Sequence, residues 1–325
     1  MSRILFVIEP IATINPNKDT TYLFMHEAQR RGHESFACTP EDLCLENGVV
    51  SAFVTDISVP ALGQPVQGGS TTRRPVTDFS VVFMRHDPPY DMRYLSAGYV
   101  LNRVHPHPPV LNTPASVLTL PEKIYPTLFA DLMPPTLVSR HPVAIADFHK
   151  AHGDIVLKPL YSCGGEGVFH LKPADPNLKT LIELFDTRYP GPWVAQKFLP
   201  EVSKGDKRIL FCNGEVLGAV LRVPQIGSVR ANFHSGGSGA ATDLSPAEQA
   251  LCARIGQSLK DNDLFFVGID LIGPWLTEIN VTSPTGMQEM NALYGVRLQE
   301  TVWDQVEKIQ KPHKNFQKNT KIANR

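Results

Sequence analysis

Leu276-Thr277-Glu278-Ile279-Asn280-Val281-Thr282-Ser283-Pro284-Thr285 sets a carboxylate and a side-chain amide two residues apart inside an apolar, β-prone run. On a strand that spacing turns both oxygens to one face. Hard oxygen ligands arriving from one strand face suit Mg²⁺, which keeps several waters and commonly takes one or two protein ligands beside substrate phosphates. The competing reading is the polar side of an ordinary half-exposed strand. A third oxygen ligand lies upstream. Phe265-Phe266-Val267-Gly268-Ile269-Asp270 reads as another strand, with Gly273-Pro274 before the next, so the two are expected to form a hairpin. A three-residue turn sets Asp270 opposite Glu278, whereas a two-residue turn sets it opposite Thr277. The three-residue turn is expected here, making Asp270, Glu278 and Asn280 one metal-facing set. Two carboxylates converging this way repel each other, and a divalent cation relieves that repulsion.

Moving outward, Lys158 lies in the apolar run Asp154-Ile155-Val156-Leu157-Lys158-Pro159, six residues before Gly164-Gly165-Glu166-Gly167. A lysine there is costly to bury unless an anion meets it, and small residues in a hairpin loop let backbone N–H groups approach phosphate oxygens. The G-x-x-x-x-G-K-[ST] order of a P-loop is missing, and the pattern is nearer to a two-stranded flap over a nucleotide. By itself it reads first as an ordinary hairpin. Beside the Asp270 set it becomes the phosphate end of a nucleotide site.

The rest of the chain supplies a frame for these pieces. Ile4 to Ile8 reads as a buried strand, Asp19 or Thr20 caps a helix running to Arg31 before Gly32, and His33 to Cys38 is a second strand. That order argues for a parallel α/β layer. The Pro-, Gly-, Ser- and Thr-rich segment Pro60 to Pro75 reads as a surface connection. Val81 to Arg85 is a further buried strand ending in Arg85-His86-Asp87, where a parallel sheet binds ligand. Antiparallel pairing is expected later: strands at 154–159 and 168–171, a helix from Leu178 to Phe185, and a hairpin from Arg208 to Arg222 with Asn213-Gly214 at its tip. Ser245-Pro246-Ala247-Glu248 is a capping box opening a helix whose buried face carries Leu251, Ile255 and Leu259. The glycine-bearing segment 225–243 reads as a mobile lid.

Composition limits the function classes. With 42% hydrophobic and 19% charged residues and a net charge of −1 over 325 residues, the chain has enough apolar surface for two or three subdomains, and no charge excess drawing it to nucleic acid or membrane. Five scattered cysteines without a C-x-x-C fit reduced thiols in a cytoplasm. The basic tail from Gln310, its charge diluted by Asn and Gln, reads as frayed.

Lys158-Pro159-Leu160, the Gly164–Gly167 loop, Ala195-Gln196-Lys197-Phe198-Leu199-Pro200, Gly205-Asp206-Lys207-Arg208, the strand ending in Asp270 and the Glu278 run, in that order, resemble the bacterial glutathione synthetases, which are ATP-grasp ligases. The resemblance extends to Glu9-Pro10-Ile11-Ala12-Thr13-Ile14-Asn15 and to Met84 through Asp91. It implies an α/β chain, α+β in its catalytic part: an ATP-grasp fold preceded by a parallel-sheet Rossmann-like amino-terminal domain. The implied division is an amino-terminal domain over 1–121, an ATP-grasp lid subdomain with the glycine loop over 122–195, a catalytic subdomain over 196–310, and a flexible tail over 311–325.

The implied activity is ATP-dependent joining of a carboxylate to an amine through an acyl phosphate, γ-glutamylcysteine and glycine being the family pair. ATP with Mg²⁺, or Mn²⁺ in its place, are the implied cofactors. Lys123 and Lys158 then hold phosphates, the loop Gly164, Gly165, Glu166 and Gly167 covers them, Gln196, Lys197, Phe198 and Leu199 face adenine, and Asp206 meets the ribose. Arg208, Arg222 and Arg230 stabilise the transferring phosphoryl group and acyl phosphate, while Asp270, Glu278 and Asn280 hold metal. Arg85, Ser283, Pro284 and Thr285 fall in the substrate region. Small-molecule substrates, no nucleic acid or membrane partner, a cytoplasmic setting and a homotetramer are further implications. Three positions depart from the family pattern by losing a cation: His86, Ser238 and Gln288. Tyr161-Ser162-Cys163 also replaces the usual Asp-Gly-Met before the glycine loop. Two other readings therefore stand beside the first: a related ligase with a different acid and amine, and a nucleotide-binding module without catalysis.

Overall fold

The computed structural model of the chain describes residues 1–225 and 237–310. Arg230, most of the expected lid over 225–243, and the tail 311–325 lie outside the described residues.

The amino-terminal run Arg3–Val7 (β1) pairs in parallel with Glu34–Cys38 (β2) on one side and Val81–Met84 (β6) on the other, and β6 pairs in parallel with Val110–Leu111 (β7). Ile4, Leu5, Phe6 and Val7 are fully buried, as expected of a strand covered on both faces. One cover is the helix Thr20–Arg30 (α1), capped by the Asp19 side chain accepting from the Thr21 N–H at 2.6 Å. Beyond β2 the sheet turns antiparallel through Leu43–Glu46 (β3), Val49–Ser58 (β4) and Gln67–Pro75 (β5).

That last strand corrects the expectation of a surface connection over 60–75. Almost every residue of β5 is exposed on both faces, so it carries no apolar alternation. Its pairing is held by the free edge of β4, with Thr55 and Thr71 hydroxyls 2.8 Å apart across the ladder. Met92–Leu101 (α2) and Pro114–Thr119 (α3) complete this part of the chain.

A second sheet runs in the order β10-β9-β11-β8, from Thr136–Ser139 (β8), Ile155–Pro159 (β9), Phe169–Leu171 (β10) and Trp193–Lys197 (β11), all antiparallel. Pro142–His152 (α4) and Leu178–Arg188 (α5) cover it around a core of Ile155, Leu157, Phe185 and Trp193. Phe185 meets Trp193 edge-to-face at 5.5 Å, a favoured aromatic geometry.

The third sheet, in the order β14-β13-β12-β15-β16, uses Asp206–Cys212 (β12), Glu215–Val223 (β13), Ser238–Ala240 (β14), Phe266–Ile272 (β15) and Trp275–Asn280 (β16). β12 and β13 are the expected hairpin, with Asn213 and Gly214 both at positive φ. Part of the segment read as lid is thus a strand, since β14 pairs with the edge of β13. The helix Pro246–Asp261 (α6) carries the expected capping box and buries Leu251, Ile255 and Leu259. Met287–Tyr294 (α7) and Leu298–Gln310 (α8) follow.

The first and third sheets share cores: Leu5, Val82 and Val110 cluster with Ile209, Ile269 and Ile279. Asn112 pins them together. Its amide donates to the carbonyls of Phe266 (2.8 Å) and Val281 (2.7 Å), and its oxygen accepts from the Phe266 N–H at 2.7 Å. The ends of β15 and β16 are thereby fixed against the parallel sheet.

Candidate active site

The three sheets enclose a cavity of 610 Å³, a size typical of small-molecule sites. Its floor is the hairpin β15–β16. Asp270 stands opposite Glu278, as expected, but by a different route. Ile272 pairs with Trp275, a two-residue turn, and a bulge between Asp270 and Leu271 then shifts the register by one. Without that bulge Asp270 would face Thr277. Thr277 instead donates its hydroxyl to the Asp270 carbonyl at 3.0 Å.

Two arginines from β12 and β13 converge on Asp270. Arg208 donates from Nε at 2.5 Å and from Nη2 at 2.9 Å, and Arg222 Nη2 lies 3.0 Å from Oδ2. Burial opposes ionisation of Asp270, but the two guanidinium groups outweigh it and hold the carboxyl well below the usual carboxylate range. Asn280 donates to the same carboxylate at 3.2 Å, and Arg222 also grips Asp206 through Nη2 at 2.8 Å. Arg208 Nη1 donates to the Thr285 carbonyl at 3.0 Å.

The second carboxylate has its own cations. Lys158 Nζ lies 3.3 Å and Lys123 Nζ 3.9 Å from Glu278 Oε1. Burial would raise the Glu278 carboxyl, but Lys123 and Lys158 bring it below its ordinary value. Burial lowers Lys158, against the pull of Glu278. Lys123 also donates to the Ser162 carbonyl at 2.5 Å, tying this lysine to the root of the glycine loop.

That loop joins β9 to β10. Gly164, Gly165 and Glu166 line the cavity, while Gly167, at φ +68°, lies behind them with Pro159 and Tyr189. On the opposite wall, Gln196 in β11 donates to Thr136 Oγ1 at 2.9 Å, and Phe198 stacks on His170 at 3.9 Å. Lys197, Leu199 and Asp206 line the same wall, and Ser283, Pro284 and Thr285 form the far end.

Arg85 does not line the cavity. It is buried between the rings of Phe24 and Phe266, donating to Thr21 Oγ1 (3.1 Å) and to the Pro284 carbonyl (3.0 Å), so it supports the Ser283–Thr285 turn from behind. Several lining residues were not read as site residues from the sequence: Lys18, Asp19, Glu122 and Glu289. Glu122 accepts from the Thr282 hydroxyl at 2.6 Å and the Thr282 N–H at 3.3 Å, and burial raises its carboxyl. Its place directly before Lys123 was the one available hint.

Against known proteins, the family model described as prokaryotic glutathione synthetase, N-terminal domain, matches residues 2–117, and that described as prokaryotic glutathione synthetase, ATP-grasp domain, matches residues 122–295. The chain belongs to the prokaryotic glutathione synthetase family. Relatives named glutathione synthetase include one from Brucella melitensis, 45% identical over 92% of this chain and 96% of the relative. Another, from Mesorhizobium japonicum, is 44% identical over 94% and 98%. Among solved structures, D-cycloserine synthetase DcsG aligns with a TM-score of 0.64 at 16% identity, over 93% of this chain and 99% of that one. The Chryseobacterium gregarium RiPP-associated ATP-grasp ligase, solved with ADP and a leader and core peptide, gives 0.62 at 18%, over 95% and 97%. These last two likenesses bear on the fold, which is ATP-grasp.

Within this glutathione synthetase framework the three positions expected to depart from the family pattern, His86, Ser238 and Gln288, fall outside the described cavity lining. His86 is fully buried against Tyr94, ring centroids 4.1 Å apart. Ser238 begins the exposed edge strand β14. Gln288 donates its amide to the carbonyls of Pro16 (2.8 Å) and Asp19 (3.0 Å), fastening α7 to the amino-terminal loop.

Proposed function

We propose that the chain is a glutathione synthetase, joining γ-glutamylcysteine to glycine with conversion of ATP to ADP and phosphate. The observation carrying this reading is the pairing of Glu278 with Lys158 and Lys123, beside Asp270 with Arg208 and Arg222, on one cavity floor. Two carboxylates and four cations in one enclosed space match the charge demands of phosphoryl transfer to a carboxylate.

In this reading Lys123, Lys158 and the N–H groups of the Gly164–Gly167 loop hold the ATP phosphates. Gln196, Lys197, Phe198 and Leu199 receive the adenine, and Asp206 the ribose. Asp270, Glu278 and Asn280 are the residues that would hold Mg²⁺. Among the described residues no group of three His, Cys, Asp or Glu side chains could hold a metal alone, and this donor set fits an ion that completes its shell with phosphate oxygens and water. Bound there, Mg²⁺ neutralises phosphate charge; Mn²⁺ fits the same oxygen donors. Arg208 and Arg222 stabilise charge on the phosphoryl group and the acyl phosphate, a role that also falls to Arg230. Ser283, Pro284 and Thr285 flank the substrate, with Arg85 holding their backbone. The enclosing sheets keep water from an acyl phosphate that it would hydrolyse.

The division at 121/122 and 195/196, a cytoplasmic setting and assembly as a homotetramer belong to this proposal; sedimentation of the purified protein tests the last. ADP release measured with γ-glutamylcysteine plus glycine, beside a panel of other acids and amines, tests the activity. Turnover on another pair with silence on this one overturns the substrate assignment. ADP release needing neither acceptor overturns the ligase reading.

A further inference from the structure

Glu289 lines the cavity from the first turn of α7, four residues after Thr285, whose carbonyl is bound by Arg208. Its Oε2 is buried and, among the described residues, has no hydrogen-bond partner. Apart from Glu166, which is exposed, the other carboxylates of the cavity have cationic or hydroxyl neighbours or a capping role. Asp206 and Asp270 are gripped by arginines, Glu278 by lysines, Glu122 by Thr282, and Asp19 caps α1. The Ser283 side chain and Arg85 oppose the rise that burial gives the Asp87 carboxyl. An unpaired buried carboxylate oxygen is costly unless a donor completes it. In this cavity the donor expected from the chemistry is an amine.

On the ligase reading above, we infer that Glu289 is the group that receives the proton of the incoming amine. An amino acid in neutral water is mostly ammonium, and that form has no lone pair for attack. In the step, the amine lone pair forms the C–N bond to the acyl carbon, and the C–O bond to phosphate breaks with its electrons leaving on phosphate. The nitrogen gives up two protons in all: the ammonium proton passes to the Glu289 carboxylate before attack and then to water, and the proton shed as the C–N bond forms leaves on the departing phosphate.

The surroundings suit a base that must hold and release a proton. Burial raises the carboxyl, and Lys18 from the amino-terminal loop, Arg208 from β12 and Arg222 from β13 oppose that rise. Arg208 and Arg222, set at the transferring phosphoryl group in the reading above, are among those cations, so base and leaving group are served by one electrostatic field.

Hydroxylamine tests this because it is mostly unprotonated at neutral pH and needs no deprotonation before attack. The intact enzyme is assayed with γ-glutamylcysteine and ATP, with either glycine or hydroxylamine, for wild type, Glu289→Gln and Glu289→Asp. The expected result is a glycine rate in Glu289→Gln lower by roughly 100-fold, the scale of general base catalysis, with hydroxamate formation largely retained. The acid limb of the glycine pH profile disappears, and Glu289→Asp recovers part of the rate. Equal loss with both nucleophiles, or no loss with either, overturns the assignment. A wild type forming neither glutathione nor hydroxamate defeats the ligase reading itself, a different and separately visible failure.

Discussion

Lys158 Nζ lies 3.3 Å from Glu278 Oε1, so a cation assigned to phosphate and a carboxylate assigned to metal hold each other's charge at the cavity floor. Neither charge is stable there alone, since burial opposes both. Replacing the lysine with an apolar side chain of similar length should therefore affect phosphate more than the fold, because Lys123 still faces Glu278. Lys158→Met is expected to lower kcat/KM by roughly 10²–10³, the scale of removing one preorganised charge from a phosphoryl-transfer site. Steady-state kinetics with varied ATP, beside a thermal melt showing the protein folded, checks this.

Gly167 sits at φ +68°, and a Cβ there would come within 2.8 Å of both Pro159 Cγ and Tyr189 Oη. Gly167→Ala should cost about 1–2 kcal/mol from the left-handed backbone alone, and it should move the loop that ends beside the cavity. A lower Tm together with a raised KM for ATP is the expected pair of readings; a lower Tm with unchanged KM would separate the loop from nucleotide binding.

His86 offers a pH handle on stability. Burial pushes its imidazole from the ordinary value of 6.5 down to about 3, with Arg93 lowering and Glu41 and Asp91 raising it more weakly. The unfolded chain therefore binds the His86 proton below pH 6.5 while the folded chain refuses it. The resulting stability is complete above pH 6.5 and is lost as pH falls toward 3, by up to about 1.4 kcal/mol per pH unit. His86→Phe keeps the packing on Tyr94 and removes the titration, so its Tm should decline less than that of wild type between pH 6.5 and 5.

Gln288 ties α7 to the carbonyls of Pro16 and Asp19. Gln288→Ala should lose about 1 kcal/mol per broken bond and loosen the loop that presents Lys18. The KM for the acid substrate is expected to rise with the KM for ATP unchanged, read from initial rates with each substrate varied in turn.

The order of elements and the floor of the site were legible because they rest on local chemistry. Asp19 caps, Asn213-Gly214 turns, and the two-residue spacing of Glu278 and Asn280 all act within a few residues. The opposition of Asp270 and Glu278 was also legible, yet the turn has two residues and the bulge at Asp270/Leu271 supplies the missing step. A bulge has no residue signature of its own in this run. β5 was hidden for the opposite reason: exposed on both faces, it needs no apolar pattern, only the edge of β4. Arg85 reads like a ligand-binding cation from its place after a parallel strand, but Phe24, Phe266 and the Pro284 carbonyl claim it. Glu289 gives no hint in sequence because its meaning lies in what surrounds Oε2, not in its neighbours along the chain.

The central claim is that the carboxylate, once phosphorylated, is the species the amine attacks. The most direct measurement uses γ-glutamylcysteine labelled with oxygen-18 in its cysteinyl carboxylate, turned over with glycine, ATP and Mg²⁺, followed by mass analysis of the phosphate released. Passage of label from the carboxylate into inorganic phosphate, dependent on both γ-glutamylcysteine and glycine, is the expected result. Unlabelled phosphate accompanying glutathione, or label found in a nucleotide monophosphate instead, would contradict it.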